Sequence, residues 1–491
     1  KAIRRQRQMC IRDRSLTLGA SGADVNPLLV ESTAPHGAPQ FTQITNEHYK
    51  PAFEQAVREA RADIAAIVGN AQAPTFANTI EALEFSGRRL DRISNIFFNL
   101  NEAHTNDTMQ ALALELSPML TEFSNDVSLD PKLFARVKAV YDRRESLGLN
   151  AEQRRLLEKT YKGFARSGAA LSDEDKKIYR ELTARLSELS LQFNQNSLAA
   201  TNAFTLHVTD PAVVGELPDF VREGMAAEAK ERGLDGWVVT LQIPSMVPFM
   251  TYSSNRALKE KLWRAYNTRC VGGEFDNSAI VEEIADKRLQ LAGLLGYETY
   301  ADYVLEERMA ESSPTVNAFL AELLDRAVEA ARRDVETVAG YARAQGFDAE
   351  LMPWDFGYYS EKLKHERYEL SEELTKPYFQ LENVRRGMFE LANRLYGITL
   401  RENPEIPVYH PDVKAYEVFD ADGRRAERSV YSRKWIDNPS GESQLEVVIR
   451  GRWQSADDRP ECRIEPAGEN TALIFTSREG ATREVNLIEM K

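Results

Sequence analysis

The sequence is poor in the two residue types that most often announce chemistry. It has three cysteines, Cys10, Cys270 and Cys462, in 491 residues. They are odd in number and far apart, so neither a C-x-x-C pair nor a disulfide framework is encoded, and cysteine usage leaves the redox compartment open. It has six histidines, His36, His48, His104, His207, His365 and His410, and the closest two are 12 positions apart. No two of them share a helical turn, so every zinc signature built on such a pair, H-E-x-x-H above all, is missing. The chain also lacks any run of about 18 apolar residues, which excludes a transmembrane helix of the usual kind. Positive charge is short as well: Lys and Arg number 62 against 76 Asp and Glu, a net charge of −14. That balance disfavours a nucleic-acid partner. The glycine spacings of phosphate loops, G-x-x-x-x-G-K-[ST] and G-x-G-x-x-G, do not occur, which disfavours nucleotide enzymes. The nearest approach to a serine-hydrolase elbow, Gly19-Ala20-Ser21-Gly22, fails by spacing.

What is present is globular: 43% hydrophobic and 28% charged residues, over a length that suits two to four domains. Residues 1–14 hold six basic side chains and one acidic one, followed by a short, small-residue stretch over 15–23. The order is that of a signal peptide, but the apolar part is shorter than the roughly 7–15 residues such a segment needs. Residues 1–24 are therefore expected to be non-native sequence or a worn leader. From there to about residue 397 the apolar residues recur at helical steps. Ile178, Leu182, Leu186, Leu189 and Phe193 form the clearest stripe, with Asp173 as the expected cap. Similar windows cover residues 51–68, 78–100, 277–295 and 316–344. Extended structure is expected over 204–208 and 236–243, with 242–249 as a proline-closed loop before a helix at Tyr252. After about residue 423 the texture turns to short β-type runs at 445–449, 472–476 and 485–488. The expected division is thus 1–24, a helical body over 25–423, and an unrelated-looking β-rich tail over 424–491.

Candidate chemistry is sparse. His365 and Glu369 stand at i and i+4 and would share a helix face as two metal ligands. Two ligands fall short of the three that a catalytic zinc needs, and the Lys362, Lys364 and Arg367 around them fit a solvated face better. Tyr409-His410-Pro411-Asp412 fixes a histidine beside a proline, which reads as a rigid turn before it reads as a substrate-orienting group. Trp354, Phe356, Tyr358, Tyr359, Tyr378 and Phe379 are dense enough to line a peptide groove, although core is the commoner fate of such rings. Residues 75–80 read as a helix entry, with Asn78 as the cap and Glu81 three positions on.

Several phrases together resemble the thimet oligopeptidase family of zinc metallopeptidases. They are Asn26-Pro27-Leu28-Leu29, TFANTIEALE (75–84), Asp276-Asn277, LLGYETYADYVLEERMA (294–310), Trp354-Asp355 with Tyr358-Tyr359 and Glu361-Lys362, Lys376-Pro377-Tyr378-Phe379, and Tyr409-His410-Pro411-Asp412-Val413. The likeness is to the bacterial peptidyl-dipeptidase branch and runs in order through residues 25–423. It implies a mainly α, two-lobed body around a deep channel, in which one zinc and a glutamate-activated water cleave short peptides, dipeptides leaving from the carboxyl end. The family's H-E-x-x-H helix and its downstream glutamate lie C-terminal to the Tyr-His-Pro-Asp-Val stretch, where this sequence carries its β-type tail instead. Neither His365 nor His410 corresponds to a zinc ligand, so no catalytic or metal residue carries over, and the substrate-binding residues are left unassigned.

The expectation is an incomplete or chimeric metallopeptidase: zinc in the family, none bound by this chain, short peptides as partners, no nucleic acid, no membrane insertion, and no hydrolysis as the chain stands. The alternative is a non-catalytic peptide-binding or regulatory protein built on the peptidase's helical lobe. Either way, helices deprived of the other half are expected to leave an apolar patch exposed.

Overall fold

The computed structural model describes residues 25–369, 372–375 and 377–423, together with the backbone of five later strands. The expected leader, residues 1–24, lies outside the described residues, as does Lys376. The described body is mainly α, in agreement with the sequence reading. Its helices are α1 (Asn46–Val68), α2 (Arg88–Ala103), α3 (Asp107–Ser128), α4 (Pro131–Tyr141), α5 (Ala151–Arg166) and α6 (Asp173–Ala203). After the strand β1 (Leu206–Val208) come α7 (Pro211–Gly215) and α8 (Asp219–Glu231), then β2 (Trp237–Val239), α9 (Ile243–Tyr252), α10 (Arg256–Asn267), α11 (Ser278–Leu294) and α12 (Tyr300–Leu305). The series closes with α13 (Ser313–Ala344), α14 (Pro353–Tyr368), α15 (Glu372–Thr375) and α16 (Leu381–Tyr396).

Caps explain most of the starts. The His48 Nδ1 accepts the Thr45 backbone N–H at 3.0 Å, so one of the six histidines is spent on the entry to α1. Ser172, one residue before the expected Asp173, caps α6 by accepting the Asp175 N–H at 3.1 Å. Thr75, not Asn78, caps the short helix Phe76–Glu81, and Asn78 is the reciprocal third residue of that capping box. This helix is a π-turn, and Gly87 at φ 65° sets a new start at α2, so the expected continuous helix over 78–100 is broken. The expected loop over 242–249 is also helix: Pro244 sits in the first turn of α9, where its missing N–H has no helical partner to lose. Pro248 does forgo one bond, against the complete burial of Phe249 beside it. Tyr252 ends α9, and the next helix starts at Arg256.

Packing selects the faces. On α6 the buried residues are Tyr179, Leu182 and Leu189, whereas Ile178 is 46% exposed. The stripe turned by one residue because α6 is clasped between α3 on one side and α11 on the other, and Tyr179 with Leu182 packs against Leu291 of α11. One core joins α1, α2 and α3 through Phe53, Ile93, Phe97 and Leu116. A second packs the antiparallel β1–β2 pair against Val221, Phe249 and Leu262 of α8, α9 and α10. Gly236 enters β2 at φ 88°, and a Cβ there would lie 2.7 Å from the Val208 carbonyl oxygen, so only glycine lets the two strands meet.

Strands follow α16: β3 (Thr399–Glu402), β4 (Val413–Phe419), β5 (Arg425–Lys434) and β6 (Leu445–Gly451) form one antiparallel sheet in chain order. A second sheet holds β7 (Glu461–Ala467), β8 (Asn470–Thr476) and β9 (Thr482–Asn486). The expected runs at 445–449 and 472–476 fall inside β6 and β8, and the third is displaced toward Thr482–Asn486. β5 and β7 had no clear signal, since Arg425–Lys434 is mostly charged and polar. The pairing of Val413 with Arg433 and Tyr416 with Val430 carries the first sheet across residues 423 and 424.

Candidate functional site

Two of the sequence's aromatic candidates, Trp354 and Tyr358, meet charged side chains where α10 packs on α14. On α10, Arg256, Lys259 and Trp263 stand at steps of three and four and share a face. On α14, Asp355, Tyr358 and Lys362 do the same, with Trp354 next to Asp355. Met352 precedes α14, and its backbone N–H donates to Asp355 at 3.0 Å, which fixes that carboxylate within the first turn. The Arg256 Nε and Nη2 then both donate to Asp355 at 3.0 Å, a forked pair on a carboxylate that is almost wholly buried. The hydrogen bond to Asp355 holds the Arg256 guanidinium above its ordinary pKa.

Lys259 is the unusual member. It is 1% exposed, and its ammonium lies 4.3 Å from the centre of the Tyr358 ring with no hydrogen bond or ion pair among the described residues. Burial pushes its pKa down to about 8, against the pull of Asp355 and Glu216. Lys362 approaches the same ring at 4.6 Å. The Trp263 and Trp354 rings meet edge to face at 5.5 Å, and the buried Trp354 Nε1 has no acceptor among the described residues. This joint holds α14 against α10 through a buried cation and aromatic rings, which is a positioning role.

The other candidates are placed apart from it. His365 lies exposed near the end of α14, and Glu369 is the left-handed residue that terminates the helix at φ 49°, donating its N–H to the His365 carbonyl. The expected shared face for His365 and Glu369 is therefore broken by the helix end itself. Tyr378 and Phe379 are 77% and 70% exposed, in a turn before α16, and do not join the α14 aromatics. His410 stands in a tight turn: its Nδ1 accepts the Asp412 N–H at 3.2 Å and its carbonyl accepts the Val413 N–H at 3.0 Å. Its ring meets His104 edge to face at 5.3 Å, and neighbouring Tyr409 meets Phe41 at 5.8 Å, so the turn fastens the strand region to the N-terminal body. Among the described residues no three His, Cys, Asp or Glu side chains converge as metal ligands. The described residues alone therefore offer no ligand set for the zinc of the resemblance. No described helix is long and apolar enough to cross a membrane.

Sequence reasoning missed Arg256 and Lys259. Their spacing was available, but a cation on a helical stripe reads as solvated until its neighbours are known. A groove of about 710 Å³ between α16 and the β3–β4 edge was equally illegible; Arg385, Phe389, Asn393, Leu400 and Tyr416 line it. Its Phe389 and Tyr416 rings meet at 5.0 Å.

Comparison with known proteins bears directly on this half of the molecule. Peptidase family M3 matches residues 249–442, which include the whole α10–α14 joint. The dipeptidyl carboxypeptidase of Escherichia coli is 40% identical over 404 residues, covering 81% of this chain and 59% of that protein. Oligopeptidase A of the same organism is 35% identical over 400 residues, 80% of this chain and 58% of that protein. Oligopeptidase A of Haemophilus influenzae is 34% identical over 460 residues, 91% of this chain and 67% of that protein. The chain spans about three fifths of the length of the first two relatives. With a relative matched at this identity over two thirds of its length, and with the dipeptidyl carboxypeptidase likeness running through the helical body, the chain belongs to peptidase family M3, the thimet oligopeptidase family, on its bacterial peptidyl-dipeptidase branch.

Proposed function

We propose that this chain is the peptide-receiving body of an M3 oligopeptidase of the peptidyl-dipeptidase type, and that its 491 residues bind short unstructured peptides without cleaving them. The observation that carries the reading is the contrast within the sequence: identity to peptidases runs through the helical body, yet no two histidines lie on one helical turn. Zinc chemistry of this kind requires about three protein ligands and a general base beside them, and losing an H-E-x-x-H removes two ligands and the base at once. No step of hydrolysis is therefore assigned to residues of this chain. A channel walled by helices suits extended peptides and excludes folded proteins. The test is zinc titration beside a quenched oligopeptide assay. Weak, non-stoichiometric zinc binding with no cleavage is the expected result; tight stoichiometric zinc with chelator-sensitive cleavage would sink the proposal.

A second reading is a peptide-binding or regulatory protein that evolved as such, with the body over 25–423 and the segment 424–491 as its own appendage. It is favoured by the β4–β5 pairing, which ties residues on both sides of that boundary into one sheet. The genomic reading frame around codon 423 separates the two: an uninterrupted frame through to the strands favours the second reading, and a break there favours the first.

A further inference from the structure

The helices α1 and α3 carry matching stripes. On α1, Arg61, Ile64, Ala65 and Val68 stand at steps of three, one and three; Phe123, Asp126, Val127 and Asp130 repeat that spacing along α3 and the turn after it. Together with Lys132 at the start of α4 and Arg180 on α6, these stripes border a groove of about 630 Å³, a size within the roughly 300–1,000 Å³ of small-molecule sites. The floor is apolar and rests on packed core. Phe123 belongs to the core of α1, α2 and α3, whereas Ile64, Val68 and Val127 belong to the core around Leu133 and Leu157. The groove therefore follows the line where two cores meet, which holds its shape. All four floor residues are half-buried, so each still offers apolar surface to an occupant.

The rim is cationic. Asp126 accepts an Arg61 N–H through one oxygen and the Arg180 Nη1 at 2.7 Å through the other. The Asp130 Oδ1 accepts the Lys132 and Leu133 backbone N–H groups at 2.7 and 3.0 Å, as the cap of α4. Both carboxylates of the groove are thus engaged. The Nε and Nη2 of the two arginines and the Lys132 ammonium have no acceptor among the described residues. On a chain of net charge −14, three cations from three helices converge over one apolar floor. An inorganic anion would leave that floor bare, and an uncharged apolar chain would leave the guanidinium donors unanswered; an amphipathic monoanion meets both. We propose that this groove binds a medium-chain carboxylate of about eight to ten carbons, its chain along Ile64, Val68, Phe123 and Val127 and its carboxylate among Arg61, Arg180 and Lys132. The seat is independent of peptide reception.

The experiment titrates the full 491-residue chain with sodium octanoate by calorimetry, beside 1-octanol and octyltrimethylammonium, which keep the chain but remove or reverse the charge. One site is expected, with octanoate bound at least about tenfold more tightly than either control. Across hexanoate, octanoate and decanoate, affinity rises by about fourfold per methylene. Ala65→Trp fills the groove from an exposed helix position, and Lys132→Glu reverses the rim at a side chain that holds no ion pair; each weakens octanoate by about tenfold or more. Helix content and melting by circular dichroism are checked for both variants, and Lys132→Glu decides if the tryptophan disturbs the fold. Absence of saturable octanoate binding, equal affinity for octanol, or octanoate binding that survives the substitutions would each overturn the proposal.

Discussion

Lys259 is 1% exposed, and no described carboxylate comes within ion-pair distance. Its ammonium has the Tyr358 face at 4.3 Å, with Asp355 and Glu216 attracting it and Arg256 and Lys362 repelling it from farther away. The folded-state pKa of about 8 lies below the ordinary 10.5, so the unfolded chain holds the proton more tightly. Folding is penalised in full below pH 8, and the penalty fades as pH rises from 8 to 10.5. The shift corresponds to about 3 kcal/mol, offset in part by a cation–π contact of about 1–2 kcal/mol. Lys259→Met should therefore raise stability at pH 7 by about 1–2 kcal/mol, and the advantage should shrink between pH 8 and 10.5. Urea unfolding of both proteins across that range measures it; an advantage that stays constant with pH would show that charge burial is not its source. Asp355 presents the reverse case. Asp355→Asn fills the same buried space but removes the negative charge and replaces one of the two oxygens that accept from the forked guanidinium with an NH2 donor, and should cost about 2–4 kcal/mol in the same titration.

Among the elements, the entry Phe76–Glu81 shows how much rests on one side chain. The Asn78 Oδ1 accepts the Thr75 N–H at 2.8 Å, the Thr79 hydroxyl at 2.9 Å and an Arg136 N–H at 3.3 Å, while its Nδ2 donates to the Ala73 carbonyl at 3.0 Å. Arg136 in turn reaches the Asn70 and Gln72 carbonyls from α4, so the loop before the helix hangs on this pair. Asn78→Ala is expected to cost about 2 kcal/mol, more than the ~1 kcal/mol of a lone cap, and to raise hydrogen exchange over residues 70–79. Unchanged exchange there would mean that Arg136 holds the loop without it. The sequence made a helix entry legible here, but read its capping box three residues late, as Asn78 with Glu81, because Thr75 and Asn78 both suit a cap. Long amphipathic helices such as α1, α11 and α13 were readable from period alone. The loop assigned to 242–249 was not, because two prolines outweighed the burial of Phe249, which depends on partners on α8 and α10 far along the chain. The α10–α14 joint failed for the same reason: the residues that make Lys259 a buried cation lie about 100 positions away.

At the scale of the molecule, charge is the property that acts before any contact. The chain carries a net −14, and exposed charge attracts or repels a diffusing peptide over roughly a Debye length, about 10 Å at 0.1 M salt. If the body receives short peptides as proposed, their approach is steered by sign before the cationic and aromatic side chains of a groove are felt. A basic peptide should then associate faster than an acidic one of equal length, by about tenfold at low ionic strength, with the ratio collapsing toward one near 0.5 M salt. Dissociation rates, set by close contacts, should change far less with salt. Stopped-flow fluorescence with a matched pair of labelled peptides, of charge about +3 and −3, separates the two rates. A preference that survives high salt would place the discrimination in local contacts such as Arg385 or Lys362. Faster association of the acidic peptide at low salt would mean that a positive local field governs entry and outweighs the net charge.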